Sequence, residues 1–193
     1  MEISLIRHGK SKHRDKQLVT GKEFEMWVKQ YDSSSVFEEL EYPPHTIDKL
    51  VTAKMVVTSD LVRSIDSAQL LRPSVITKKD KLFRETELPI PSLNFKLTPG
   101  TWAVILRLLW LCGYSNDCES YHDAKRRAAT AAQHLINYAK EYGSVTLVGH
   151  GFFNLLIAKQ LRRKGWQGPR KTATNHWSCT TYFYERDIRN EEK

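Results

Sequence analysis

The sequence predicts a single α/β domain in which a mostly parallel sheet lies between two layers of helices. Short apolar, β-branched runs bounded by Gly or polar residues recur along the chain and are typical of buried strands. Helical segments separate these runs, which is typical of a sheet built from crossover units. The length of 193 residues, with no repeat and no low-complexity tract, favours one domain over 1–193.

Five runs are predicted as strands. The first and the fourth are the most apolar, and each is followed by a His-Gly pair. The remaining three are shorter and are separated from each other by helical patterns or loops. In chain order the predicted strands are 2–6, 54–58, 75–77, 144–148 and 180–184.

The predicted helices separate the strands, and the most secure is the alanine-rich segment 119–142, because alanine has the highest helix propensity. Ser59 is predicted to cap the helix that follows the second strand. Prolines interrupt 83–99, which is expected to be irregular, and the charged tail 189–193 is expected to fray. The predicted helices are 23–31, 45–52, 61–71, 102–112, 119–142 and 152–163.

Composition limits the classes of partner. The net charge of +8 favours anionic partners such as phosphorylated metabolites, nucleic acid or acidic lipid. The basic residues form only short clusters, at 78–79, 126–127 and 162–164, which favours solvated surface over a dedicated nucleic-acid surface. Three cysteines without metal-ligand spacing indicate reduced thiols, and they predict neither a disulfide framework nor a zinc site.

The beginning of the chain and the lengths of its apolar runs predict a compartment. The first strand starts at residue 2 or 3, which leaves no room for a signal peptide. No apolar run approaches the roughly 20 residues that a membrane span needs. We therefore expect a cytoplasmic protein with no membrane partner, and the sequence leaves its oligomeric state open.

The two His-Gly pairs predict a reaction centre. His8 and His150 each follow a predicted strand, so each imidazole lies at the carboxyl end of a strand. Ligands of open α/β sheets bind just outside this edge. The glycine after each histidine allows the chain to turn closely beside the imidazole. Two histidines from different strands are therefore expected to meet at one site.

Four segments, in order, resemble the motifs of the histidine phosphatase superfamily, the phosphoglycerate mutase-like enzymes. Residues 5–11 read Leu-Ile-Arg-His-Gly-Lys-Ser, similar to the family's opening signature. Residues 58–68 resemble its strand-to-helix segment, with Ser, Leu, Arg and Ala at the family's spacing. Residues 83–85 resemble the segment with the acidic residue, and 148–151 resemble the second histidine motif. The resemblance implies a phosphoglycerate mutase-like, three-layer α/β/α sandwich.

The resemblance also implies roles for these residues. It implies that His8 is the nucleophile and becomes a phosphohistidine, a role for which a neutral imidazole is suited near neutral pH. Arg7 and Arg63 would bind the phosphoryl oxygens with planar, permanently charged donors. His150 would complete the pocket, either protonated or as a hydrogen-bond donor, and Glu85 would act as general acid and then general base. No metal or cofactor is implied.

Each assignment has an alternative. His8 and His150 could be packed histidines at strand ends. Arg63 could be a surface residue paired with Asp60 or Asp66 one turn of helix away. Glu87 could replace Glu85 as the acid, since residues two apart in extended structure face the same side.

The chain also departs from the family's pattern. The family has an asparagine where this chain has Arg14, although Ser11 still offers a hydroxyl, so Ser11 and Arg14 are both candidate phosphate ligands. Asp60 stands where the family has proline. A Leu-Pro-Ile-Pro run at 88–91 replaces the Gly-x-Trp-Glu-Gly segment of the phosphatase branch. The substrate-facing structure is therefore expected to differ from that of better-known members.

The segment 89–122 is the expected place of that difference, as a helical insertion facing the substrate. Its aromatic and leucine residues recur at near-helical spacing, which indicates either a pocket wall for an apolar leaving group or a helix packed on the core. Trp166 and the segment 175–177 could also contribute to the pocket. The members of the aromatic stripe are Trp102, Leu106, Leu109, Trp110 and Tyr114.

The function predicted from these observations is hydrolysis of a phosphomonoester, with a phosphorylated small molecule as substrate. The alternative within the family is a phosphoglycerate mutase, which must retain the alcohol and tends to carry longer insertions over the site. A second alternative is a protein that binds a phosphorylated ligand without turnover. A nucleic-acid-binding function rests on charge alone.

Overall fold

The computed structural model describes residues 1–75, 77–90 and 93–185. The strands in this part are β1 (Glu2–Arg7), β2 (Met55–Thr58), β3 (Thr77–Lys79), β4 (Ser144–Gly149) and β5 (Cys179–Phe183). The α-helices are α1 (Gly21–Ser33), α2 (Pro44–Val51), α3 (Val62–Leu71), α4 (Pro99–Leu111), α5 (Tyr121–Tyr142) and α6 (Gly151–Arg163). A short 3₁₀ helix spans Lys81–Phe83.

The strands form one mostly parallel sheet in the order β3-β2-β4-β1-β5. Only the pairing of β5 with β1 is antiparallel. The parallel register of β1 and β4 places Arg7 opposite Gly149. His8 and His150 are the next residues of the two strands, and the His8 amide donates to the Gly149 carbonyl at 3.0 Å. Both histidines therefore leave the sheet side by side.

Two apolar clusters on opposite faces of the sheet make the fold a three-layer sandwich. Alternate residues of a strand point to opposite faces. Ile3 and Leu5 of β1 pack with α5 and α6, whereas Ile6 packs with Leu50 of α2 and Ala68 of α3. The fold class predicted from the sequence is confirmed.

Helix α5 shows why an alanine-rich sequence suits this fold. Ser120 caps its first turn, and the Ser120 side chain accepts from the Asp123 amide at 3.1 Å. Gly143 ends the helix with φ of 83°, a left-handed conformation that favours glycine. The small side chains on the buried face allow α5 to lie close to α6 and the sheet, and they are Ala124, Ala128, Ala131, Ala132 and Ala139.

Two predictions of local structure were wrong. Ser59 does not cap α3, which begins at Val62 with Leu61 in the cap position. The third strand lies at Thr77–Lys79 instead of 75–77, because the Val75 amide closes a turn onto the Arg72 carbonyl. Residue 76 and the predicted charged tail 189–193 lie outside the described residues.

Helix α4 buries most of its aromatic stripe. Trp102 and Leu106 pack against Phe24 of α1, and Trp110 packs in the cluster of α5 and α6. Leu109 and Tyr114 are about two-fifths exposed, at 41% and 42%. The stripe thus follows the packing alternative at three of its five positions. Of the helices in the described residues, none is long and apolar enough to cross a membrane.

Candidate active site

The imidazole of His8 is held in one tautomer. Its Nδ1 lies 2.7 Å from the Gly9 carbonyl oxygen. A carbonyl only accepts hydrogen bonds, so Nδ1 carries the proton and Nε2 carries the lone pair. The Nε–H of Arg63 donates to this Nε2 at 3.2 Å, as the lone pair requires. The lone pair of His8 Nε2 therefore lies against a guanidinium.

Electrostatics keep this imidazole neutral. His8 is 2% exposed. Burial lowers the pKa of His8 well below its ordinary value, and the positive charges of Arg63 and Arg7 lower it further. Its neutral form, which is the nucleophilic one, therefore prevails at neutral pH.

His150 lies beside His8 in the same site. Its ring centroid lies 5.1 Å from that of His8, and its Nε2 lies 2.8 Å from Ser59 Oγ. Ser59 Oγ also accepts from the Leu61 amide at 3.3 Å, and either the hydroxyl or Nε2 can be the donor in the hydrogen bond that joins them. Nδ1 is buried without a partner in the described part of the chain. Burial and, to a smaller extent, Arg63 lower the pKa of His150.

Arg63 is a buried pocket residue, and the surface alternative is wrong for it. Its side chain is 3% exposed, and Nη1 donates to Asp32 Oδ1 at 2.7 Å. The guanidinium also lies over the ring of Tyr31, at 4.8 Å from the centroid. Neither Asp60 nor Asp66 forms an ion pair with Arg63. Asp60 instead accepts two hydrogen bonds from Arg84.

Arg7 approaches the site from the end of β1. Its Nη1 donates to the Thr174 carbonyl, and its Nε is buried with no acceptor among the described residues. The guanidinium lies so close to Gly151 that a Cβ there would meet Arg7 Nε at 3.2 Å. The glycine of the second His-Gly pair therefore makes room for the arginine of the first motif.

Ser11 and Arg14, the other predicted phosphate ligands, lie in the loop after β1. Ser11 is buried, and its Oγ accepts from the His13 amide at 3.2 Å. Arg14 is exposed and lies over the Phe37 ring, 4.5 Å from the centroid. No described hydrogen bond joins either side chain to His8. Their phosphate contacts stay a prediction.

The side chain of Glu85 lies at the N-terminus of α6, the helix that begins directly after His150. Its Oε2 accepts from the Phe152 amide at 3.0 Å and its Oε1 from the Phe153 amide at 2.8 Å. Oε1 also accepts from the Thr86 amide, so Oε2 is the oxygen with the larger remaining capacity to bind a proton. Glu87 instead accepts from the Glu119 amide at 3.2 Å. The two candidate acids thus have different surroundings.

Two arginines that the sequence did not indicate bind the segment 82–87, which carries Glu85 and Glu87 and is called the acidic segment below. Arg127 of α5 donates to the carbonyls of Leu82 and Arg84, both at 2.9 Å, and forms a two-pronged ion pair with Glu119. Arg107 of α4 donates to Thr86 Oγ1 at 2.6 Å and to its carbonyl at 3.1 Å. Helical spacing could have revealed Arg127, because it shares a face with the buried alanines three residues before and four after it.

Asp32 and His176 also adjoin the site. Asp32 carries no signal in the sequence, since only the fold brings the end of α1 to Arg63. His176 lies in the segment 175–177 that the sequence indicated. Its ring centroid is 5.5 Å from that of His8, and its Nδ1 lies 3.0 Å from the His8 carbonyl. In the described ranges no cluster of His, Cys, Asp or Glu could hold a metal ion.

Comparison with known proteins decides the family. Residues 44–190 match the family model described as histidine phosphatase superfamily, branch 1. The chain belongs to the histidine phosphatase superfamily. The matched range includes Arg63, Glu85 and His150 and begins after Arg7 and His8. No curated protein matches the chain significantly in sequence.

Solved structures of the superfamily share the fold. A phosphoglycerate mutase from Bacillus anthracis str. Sterne superposes with a TM-score of 0.61 at 17% identity, covering 96% of this chain and 91% of that one. The product of the open reading frame Rv3214 from Mycobacterium tuberculosis gives 0.59 at 16% identity, covering 97% and 93%. The mycobacterial glucosyl-3-phosphoglycerate phosphatase Rv2419c gives 0.55 at 20% identity, covering 84% and 79%. The solved structures that share the fold of this superfamily member thus include a phosphatase and a mutase.

Proposed function

We propose that the chain hydrolyses a phosphomonoester through a phosphohistidine on His8. One observation carries this proposal. The hydrogen bond from Nδ1 to the Gly9 carbonyl leaves the lone pair on Nε2, and burial keeps the ring neutral. The same Nε2 faces Arg63, a cation that a phosphoryl oxygen would bind. Nucleophile and charge compensation therefore meet at one atom.

In the first step, the His8 Nε2 lone pair forms a bond to phosphorus while the bond from phosphorus to the alcohol oxygen breaks. The departing oxygen takes a proton from Glu85, for which Oε2 has the free acceptor capacity. The guanidinium groups of Arg7 and Arg63 stabilise the phosphoryl oxygens in the transition state. His150, whose buried Nδ1 has no partner among the described residues, completes the pocket beside His8.

In the second step, water attacks the phosphorus and the bond to His8 Nε2 breaks. Glu85, now ionised, takes a proton from the water, which restores its acid form. His8 regains its Nε2 lone pair, and its Nδ1–H keeps its hydrogen bond to the Gly9 carbonyl throughout. Inorganic phosphate leaves with one hydrogen of the water, and the other replaces the proton that Glu85 gave to the alcohol.

His8→Ala is the direct test. We expect the variant to lose p-nitrophenyl phosphate hydrolysis and to lose an acid-labile phosphoenzyme that the parent forms from the same substrate. His122→Ala, at an exposed helical position, is the control and keeps both. Equal hydrolysis by His8→Ala would overturn the mechanism. Phosphate binding by a parent without turnover would instead indicate a phospholigand-binding protein.

Two acid variants test the role of Glu85. On an alkyl phosphate, whose alcohol is a poor leaving group, Glu85→Gln should lower kcat by about 10²-fold or more, the ordinary contribution of a general acid. Glu87→Gln should change kcat far less, because Glu87 bonds to the Glu119 amide. The reverse order would assign the acid to Glu87. EDTA should leave the rate unchanged, because the proposed steps use imidazole, guanidinium and carboxyl groups alone.

Phosphoglycerate mutase activity is the second candidate, favoured by the fold shared with the Bacillus anthracis enzyme. The two activities differ in the fate of the alcohol, which a mutase rephosphorylates and a phosphatase releases. Isomerisation of 3-phosphoglycerate and release of phosphate are therefore measured side by side. Isomerisation that is faster than release would favour the mutase.

A further inference from the structure

The peptide bond that follows the nucleophile has both of its polar atoms bound by side chains. Its carbonyl, that of His8, lies 3.0 Å from Nδ1 of His176. A carbonyl only accepts hydrogen bonds, so His176 donates and its proton is on Nδ1. The amide of the same peptide, that of Gly9, donates to Ser67 Oγ at 2.9 Å. The loop before β5 and helix α3 therefore fix the orientation of this peptide together.

The tautomer of His8 depends on this orientation. The carbonyl that accepts from His8 Nδ1 at 2.7 Å is that of Gly9, in the next peptide. Only the two dihedral angles of Gly9 separate the two peptides, and glycine has no side chain to restrict them. A rotation there would turn the Gly9 carbonyl away from Nδ1, and the ring proton could then move to Nε2. Contacts from other segments must therefore hold Gly9.

The loop that carries His176 also supplies a contact to Gly9. The indole of Trp177 packs on Gly9 so closely that a Cβ there would meet Trp177 Cζ2 at 2.3 Å. Trp177 itself has φ of 62°, a left-handed conformation that is uncommon for a bulky residue. Such conformations persist where the surrounding contacts determine them, and they cluster at functional sites. One strained loop thus brings both His176 and Trp177 to the peptide of the nucleophile.

Backbone hydrogen bonds attach this loop to β1, and a side chain attaches it to α2. The Trp177 amide donates to the Arg7 carbonyl and the Arg7 amide to the Ser178 carbonyl, both at 3.0 Å. Thr46 Oγ1 of α2 donates to the Trp177 carbonyl at 2.5 Å. The position of the loop relative to the end of β1 is therefore fixed.

His176 contributes a hydrogen bond at this position and no charge. Burial and, to a smaller extent, the charge of Arg7 lower the pKa of His176. The ring is therefore neutral near neutral pH, like that of His8. A neutral side chain with a donor in the same place can accordingly replace it without a change of charge.

We propose that His176 is a positioning residue for the nucleophile. Its hydrogen bond to the His8 carbonyl holds the His8–Gly9 peptide in the orientation that keeps the proton of His8 on Nδ1 and the lone pair on Nε2. His176 thus acts through His8 and not on the substrate. The effect on catalysis rests on the proposed function, whereas the tautomer of His8 is independent of it.

Two variants with the same amide group test the proposal, because they differ in reach. In His176→Asn the amide nitrogen takes the place of Nδ1, and in His176→Gln it lies one carbon further out. We expect His176→Gln to lower kcat/KM by about 10-fold or more for an alkyl phosphate and for p-nitrophenyl phosphate alike, because a misplaced nucleophile affects every leaving group. His176→Asn should restore most of this loss. Inhibition by inorganic phosphate should change far less in both variants, since the arginines that bind it remain.

Nuclear magnetic resonance of protein with ¹⁵N-labelled histidine reads the tautomers directly, because a protonated ring nitrogen and one with a lone pair have different chemical shifts. The signals of the two residues are assigned by their absence from His8→Ala and from His176→Asn. In the parent, both rings should carry the proton on Nδ1. In His176→Gln, the form of His8 with the proton on Nε2 should appear. Thermal unfolding checks that each variant is folded.

Each contrary outcome is distinct. A folded His176→Gln variant in which His8 stays wholly protonated on Nδ1 would refute the proposal, and so would an equal loss in His176→Asn. A loss confined to the alkyl phosphate would assign the effect to the acid instead. If His176→Gln does not fold, the spectrum of the parent decides, because a proton on Nε2 of His176 excludes the proposed bond. A parent with both expected tautomers and no hydrolysis would refute the phosphatase and retain the positioning of His8.

Discussion

Replacing Arg127 by methionine should disconnect the acidic segment from α5. In the native structure this arginine binds the carbonyls of Leu82 and Arg84 and the carboxylate of Glu119, and it lies 3.8 Å from the centroid of the Phe153 ring. Methionine keeps a flexible apolar chain of similar length and removes every one of these donors. Arg127→Met therefore tests whether Arg127 positions the acidic segment.

The expected loss of stability follows from burial. The side chains of Arg127 and Glu119 are 21% and 18% exposed. Removing one partner of a buried ion pair costs about 3–5 kcal/mol, and a hydrogen bond to a charged group contributes about 1.5–3 kcal/mol. These contributions overlap, and the residual exposure places the total at the lower end. We expect the free energy of unfolding to fall by about 3 kcal/mol.

The expected effect on catalysis depends on the leaving group. Glu85 keeps its bonds to the α6 amides, so the acid is loosened and not removed. For an alkyl phosphate, which needs the proton, kcat should fall by about 10-fold to 100-fold, within the range that misplaced catalytic groups cost. For p-nitrophenyl phosphate, whose leaving group is stable without a proton, kcat should change much less.

Urea denaturation measures the free energy of unfolding, and steady-state kinetics on both substrates measure kcat. Arg126→Met is the matched control, because Arg126 is the neighbouring residue, is 72% exposed and, in the described part of the chain, pairs only with Asp123. The control should lose less than about 0.5 kcal/mol, as exposed pairs do. Equal losses of kcat on the two substrates would refute the reasoning that Arg127 acts through the acid.

Three further predictions concern the phosphoryl pocket. Gly9→Ala should lower the free energy of unfolding by about 1–3 kcal/mol in urea denaturation, because its Cβ would lie 2.3 Å from Trp177 Cζ2 in a packed site. Asp32→Asn removes a negative charge 2.7 Å from Arg63 and keeps the acceptor, so inhibition by inorganic phosphate should tighten by about fivefold, or about 1 kcal/mol; weaker inhibition would contradict this. Because the pKa of His8 is lowered, the unfolded chain binds a proton below pH 6.5 that the native state does not. The free energy of unfolding should therefore decrease as the pH is lowered, by at most about 1.4 kcal/mol per pH unit for this group. The acidic limb of kcat/KM should lie below pH 6.5, and a limb above pH 6.5 would contradict a neutral buried nucleophile.

The sequence predicts the motifs well because they are local. A strand that ends in Arg-His-Gly specifies its own turn, and parallel pairing carries His8 and His150 to one edge of the sheet. The acid was harder to assign, because Glu85 and Glu87 have the same chemistry in the same extended segment. The tertiary structure gives them different partners, the Phe152 and Phe153 amides for Glu85 and the Glu119 amide for Glu87, and the choice of acid stays a prediction.

The sequence by itself determined the α/β fold and the meeting of His8 and His150 at one edge of the sheet, because hydrophobic periodicity and strand-end motifs involve residues that are close together in the chain. The tertiary structure alone decided the surroundings. The ion pair of Arg63 with Asp32 and the hydrogen bonds of Arg127 to the Leu82 and Arg84 carbonyls join segments far apart in the chain. Such contacts depend on how helices pack and loops close, and the pattern of residues near each other in the chain does not predict them.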